Sequence, residues 1–83
     1  MEIIYSPESI KKLKKIPPSD LKKVKKKIDL IKISPICGKL LKGDFQGLYS
    51  IKAWPLRIIY SFDKKTQKIY IVTVDYRGSV YKN

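Results

Sequence analysis

The sequence predicts an α+β fold: an N-terminal strand and a two-helix hairpin packed on a twisted, mainly antiparallel β-sheet. Three observations predict it. Helical spacing of apolar residues is confined to the first half of the chain. Two-residue alternation fills the second half. The length, 83 residues, suits one domain, so residues 1–83 are expected to form a single unit.

Residues 2–5 (EIIY) form a short apolar run, compatible with a first strand. Ser6-Pro7-Glu8 then reads as a helix start. Ser6 can cap, Pro7 suits the first helical position, and Glu8 suits the positive helix end. Ile10 and Leu13 lie one turn apart, and this helix should end near Ile16-Pro17. Pro18 restarts a helix with Asp20 in its first turn. Leu21, Val24, Ile28 and Ile31 form its apolar stripe, while Lys22, Lys23, Lys25, Lys26 and Lys27 sit off it. Ser34 precedes Pro35, which disfavours helix there.

From Leu48 the period becomes two. Leu48–Trp54 sets Tyr49, Ile51 and Ala53 on one face and Ser50 and Lys52 on the other. Leu56–Phe62 groups Leu56, Ile58, Tyr60 and Phe62, with Arg57 opposite. Pro55 lies between these runs, so a tight antiparallel hairpin is expected. Asp63–Lys68 is a polar turn, and Ile69–Val74 is a β-branched third strand. The initial strand is expected to join this sheet.

Composition removes several kinds of chemistry. There is no histidine, which excludes His-based triads and His general bases. The single cysteine, Cys37, excludes an internal disulfide framework and a multi-cysteine zinc site. The seven acids show no paired spacing suited to a two-metal nuclease or a glycosidase dyad. Gly43 and Gly47 flank Asp44-Phe45-Gln46, but no G-K-[ST] follows, so this is not a P-loop. No metal and no cofactor is therefore expected. No apolar run approaches the roughly 18 residues of a membrane span. Met1 to Tyr5 is too short and too acidic at Glu2 for a signal peptide. No membrane partner is expected, and the cytoplasm is the expected location.

The net charge is +12, from 19 basic and seven acidic residues, and it favours a polyanionic partner. Lys22, Lys23, Lys26, Lys39 and Lys42 are candidate RNA-backbone contacts; a merely solvated lysine face is the plainer alternative. Only two residues, Arg57 and Arg77, are arginines. A guanidinium grips phosphate bidentately where an ammonium does not. Strand alternation places Lys52 and Arg57 on the same open face. Whether the arginines serve a site or pair with Asp63, Asp75 or a chain terminus stays open on spacing alone.

The stretch GKLLKGDFQGLYSIKAWPLRIIYSF, residues 38–62, resembles the signature of the RelE/ParE toxin superfamily. The tail VDYRGSVY, residues 74–81, resembles that family's closing strand with its Arg and Val-Tyr ending. The helical hairpin before Pro35 matches in position and length. The resemblance implies two helices on a twisted antiparallel sheet. For the RelE branch it implies a ribosome-dependent, metal-independent endoribonuclease cutting mRNA in the A site, held inactive by a cognate antitoxin. It further implies Lys52 and Arg57 as scissile-phosphate contacts, Arg77 on the leaving-group side, and Tyr81 as the group that orients or deprotonates the 2′-hydroxyl. The ribosome, through rRNA and mRNA, and the antitoxin are the implied partners. Two departures stand out: Ser50 occupies a position where nuclease members often carry a second basic residue, and Trp54-Pro55 replaces a glycine-containing turn. The gyrase-poisoning branch shares the fold but generally lacks the closing Arg/Tyr set; a catalytically weak RNA-binding relative is a further alternative.

The implied chemistry is consistent with these residue types. RNA carries its own nucleophile, so cleavage needs a proton acceptor, donors for the phosphorane charge, and a proton for the 5′-oxygen. A free phenol with a pKa near 10 is about 0.1% ionised at pH 7, and nearby cations raise that fraction. Such a base is weak alone and suits a system in which the ribosome aligns the substrate. The inhibitor is expected to be locally acidic and to cover Arg57 or Lys52.

Overall fold

A computed structural model describes residues 1–76. The order is β1 (Glu2–Tyr5), α1 (Pro7–Lys15), α2 (Pro18–Ile33), β2 (Lys39–Leu40), a 3-10 turn (Gly43–Phe45), β3 (Tyr49–Ala53), β4 (Leu56–Asp63) and β5 (Lys68–Tyr76). The strands form one sheet in the order β1-β5-β4-β3-β2. β1 runs parallel to β5, and the other pairings are antiparallel. The predicted α+β architecture is the observed one. Pattern along the chain had not revealed β2, whose two residues carry no period, and β5 extends past the expected Ile69–Val74 at both ends.

Ser6 organises the entry to α1. Its hydroxyl accepts the Ser9 backbone N–H at 3.0 Å and donates to the Val72 carbonyl at 2.6 Å. Its own N–H donates to the Ile71 carbonyl at 3.0 Å, so the residue that caps α1 also ties it to β5. Ser9 is fully buried and donates to the Ser6 carbonyl at 2.8 Å. Pro17-Pro18 then turns the chain, and α2 runs to Ser34.

Val24, Ile28 and Ile31 of α2, with Ile16, pack against Ala53, Leu56, Ile58, Tyr60, Ile69, Ile71 and Val74. Burial of this one cluster is the main force joining helices to sheet. The β3 and β4 residues are the set that alternation assigns inward. β5 departs from simple alternation: Ile59 pairs with Thr73 and Tyr60 with Ile71, leaving a bulge at Val72. The extra residue shifts the phase, so Val74 rather than Thr73 joins Ile69 and Ile71 in the core.

Candidate functional site

Lys52 and Arg57 are direct cross-strand partners at the turn end of the β3–β4 hairpin. Their core-facing neighbours, Ala53, Leu56 and Ile58, point to the helices, so both cations project to the other face, as alternation requires. Lys39 of β2 stands opposite Ser50 of β3. Ser50 is buried, and its hydroxyl accepts a hydrogen bond from Arg57 Nη1 at 3.4 Å. The residue that breaks the family's pattern thus contacts the arginine beside it.

These groups line a groove of about 380 Å³ where α2, the segment before β2 and the β3–β4 hairpin meet. Lys27, Lys39, Lys52 and Arg57 line it, together with Ser50 and Cys37. Among the described residues, no carboxylate does. Four cations around one hollow in a chain of net charge +12 create a local field that favours an anion such as a phosphodiester.

One wall of the groove hangs on a phenol. Tyr60 is fully buried; its hydroxyl donates to the Pro35 carbonyl at 2.8 Å and accepts the Gly38 N–H at 3.0 Å. It thereby clamps the segment that carries Cys37 and leads into Lys39. Burial pushes its pKa up to about 12, so it is a neutral strut at physiological pH. Tyr49 stacks on it with ring centroids 5.3 Å apart. Gly38 is needed for close approach: a Cβ there would lie 2.7 Å from the Tyr60 hydroxyl and 3.0 Å from the Ser50 carbonyl oxygen.

The structure brings together Lys39, Lys52 and Arg57 of the sequence-derived candidates. Lys22, Lys23 and Lys26 are exposed on α2 and do not line the groove. Lys42 lines a separate hollow with Leu41 and Gln46. These four lysines are thus apart from the groove, because helical phase and the loop before β3 carry them elsewhere. Arg77 and Tyr81 lie outside the described residues. Sequence reasoning missed Lys27. A signal existed: it lies three residues after Val24 and four before Ile31, on the flank of the buried stripe.

Asp75, Arg57's register partner on β5, forms an ion pair with Lys12 at 2.7 Å. Its pKa is lowered: burial pushes upward, but the Lys12 hydrogen bond, the Tyr76 N–H and the Lys12 charge outweigh it. Lys12 is raised correspondingly, first by its hydrogen bond to Asp75. The Tyr76 hydroxyl donates to Asp20 at 3.3 Å, which links the end of β5 to α2.

The fold is that of the RelE-like toxins. It is similar to the toxin–antitoxin complex RelBE2 of Mycobacterium tuberculosis, with TM-score 0.83 and 24% identity over 92% of this chain and 96% of that chain. The YoeB/ParE toxin from Agrobacterium tumefaciens superposes with TM-score 0.82 and 19% identity, covering 93% of this chain and 99% of that one. The archaeal RelE–RelB complex from Pyrococcus horikoshii gives TM-score 0.77 and 21% identity over 95% and 97%. No curated protein matches the sequence. The family described as ParE-like toxin of type II bacterial toxin-antitoxin system matches residues 3–83, and the chain belongs to it, within the RelE/ParE superfamily.

Among the described residues, no helix is long and apolar enough to cross a membrane.

Proposed function

We propose that this toxin is a ribosome-dependent endoribonuclease that cleaves mRNA in the A site and so inhibits translation. The observation that carries the reading is the groove, where Lys39, Lys52 and Arg57 converge and, among the described residues, no acid lines the walls. The RelE name of one structural neighbour is in keeping with this reading. Residues 1–83 act as a single toxin domain in the cytoplasm.

In this mechanism the RNA 2′-oxygen attacks the adjacent phosphorus and the P–O5′ bond breaks. The products are a 2′,3′-cyclic phosphate and a 5′-hydroxyl. Arg57 and Lys52 hold the phosphate and stabilise the charge that grows on its non-bridging oxygens. Tyr81, as its phenolate, takes the 2′-hydroxyl proton, and Arg77 stabilises the departing 5′-oxygen, which takes its proton from water; both residue roles follow from the resemblance of the tail. Lys22, Lys23, Lys26 and Lys42 contact rRNA backbone outside the groove. The reaction needs no metal to supply a nucleophile, because the RNA carries its own, and the cations of the chain serve as the charge-stabilising groups. The ribosome supplies alignment, so free RNA is a poor substrate. A cognate antitoxin with a locally acidic segment covers Lys52 or Arg57, in keeping with the toxin–antitoxin complexes among the neighbours.

Mapping mRNA 5′ ends after induction tests the reading. Cuts within codons on translating ribosomes, with cyclic-phosphate termini, are expected. Intact mRNA together with double-strand breaks at gyrase sites would instead establish the gyrase-poisoning alternative. Equally fast cleavage of free RNA would remove the ribosome from the mechanism, and a 3′-hydroxyl product would exclude 2′-oxygen attack.

A further inference from the structure

We infer that Lys27 of α2 is a phosphate-binding residue of the groove, contacting the RNA backbone together with Lys52 and Arg57. The inference deepens the nuclease reading and rests on it for the identity of the polyanion.

Three observations carry it. Lys27 lines the same hollow as Lys39, Lys52 and Arg57 although it comes from a different layer of the fold. It is half-buried, whereas Lys22, Lys23, Lys25, Lys26 and Lys32 of the same helix are exposed. Lastly, it flanks the buried stripe of Val24, Ile28 and Ile31 that packs against the sheet. A phosphodiester seated against Lys52 and Arg57 gives the Lys27 ammonium charge-assisted hydrogen bonds.

The arrangement also explains how Ser50 is compatible with a phosphate site. Lys39 stands directly across from Ser50, so an ammonium lies beside that position although residue 50 carries no charge. The Ser50 hydroxyl instead contacts the Arg57 guanidinium. Cations from three elements, α2, β2 and the hairpin, therefore line the hollow.

The test compares Lys27→Ala with Lys25→Ala, a change of equal charge two residues away at an exposed position of the same helix. The probe is a tetranucleotide RNA made uncleavable by 2′-O-methyl sugars at its first three residues, titrated into the free toxin. Lys27→Ala should weaken binding about tenfold and flatten its salt dependence by about one phosphate contact, whereas Lys25→Ala should weaken it less than about twofold. Lys27→Arg should restore binding. Circular dichroism and thermal melting check that each variant is folded. Equal losses in the two alanine variants would overturn the inference and leave only a diffuse field. A larger loss for hexaglutamate than for RNA would also overturn it and make this a carboxylate site. The assay needs no turnover, so the two readings separate. Selective RNA-binding loss without any mRNA cleavage would keep Lys27 and discard the nuclease. Cleavage with indifferent Lys27 would do the reverse.

Discussion

Two charged clusters flank β4 and are built on opposite rules. On the β5 side, Lys12 meets Asp75 at 2.7 Å, and Asp75 also accepts the Tyr76 N–H at 2.8 Å. On the β3 side, four cations line one groove, and no carboxylate does among the described residues. The first cluster neutralises itself and fastens β5 to α1. The second gathers like charge, which favours an anionic neighbour. Like charge gathered in a hollow favours an anionic ligand, whereas an ion pair between a strand and a helix ties the two together.

The largest effect should come from the unbalanced side. Lys52→Ala or Arg57→Ala should lower ribosome-dependent cleavage by about a hundredfold or more, read by primer extension. Lys12→Ala should leave cleavage nearly unchanged, and an equal loss there would erase the distinction.

Next comes the strut between the groove and the core. Tyr60→Phe deletes a hydrogen bond to Pro35 and one from Gly38, and should cost about 1–3 kcal/mol in urea unfolding. Gly38→Ala should destabilise by a similar amount, because the new methyl meets the Tyr60 hydroxyl and a backbone carbonyl. Both should also weaken RNA binding if the 35–38 segment fixes Lys39.

A smaller effect is expected from the balanced side, and it carries a pH signature. The folded-state pKa of Asp75 lies below its ordinary 3.8. Its contribution to stability is therefore fully present above pH 3.8 and is lost as pH falls through the lowered folded value. Asp75→Asn should be less stable than the parent at neutral pH, and denaturant titrations at stepwise lower pH should show the difference closing in acid. A difference that widened in acid would contradict the tie.

The smallest effect belongs to Lys22, Lys23 and Lys26. Replacing all three by alanine should change RNA tetranucleotide binding less than Lys27→Ala does, because none lines the groove.

Period two along the hairpin sufficed to put Lys52 and Arg57 on the face away from the core. The Ser6-Pro7-Glu8 start and the Pro17-Pro18 restart located the helices, because capping and proline geometry act over a few neighbouring residues. The parallel docking of β1 on β5 was not legible: a four-residue apolar run can join either edge of a sheet. The Val72 bulge was equally hidden, since nothing in IYIVTV distinguishes its phase shift from plain alternation.

Local rules of this kind also set the fold class, the inward set of β3 and β4 and the lack of His- or Cys-framework chemistry. Each depends on residue type and short-range spacing. Assembly in three dimensions was needed to choose Lys27 and Lys39 over Lys22, Lys23, Lys26 and Lys42 as lining residues, and to turn Tyr60 into the clamp on Pro35 and Gly38. The reason is physical: lysines of identical charge differ only in where the packed core aims their helix or strand, and that direction exists only once distant segments meet.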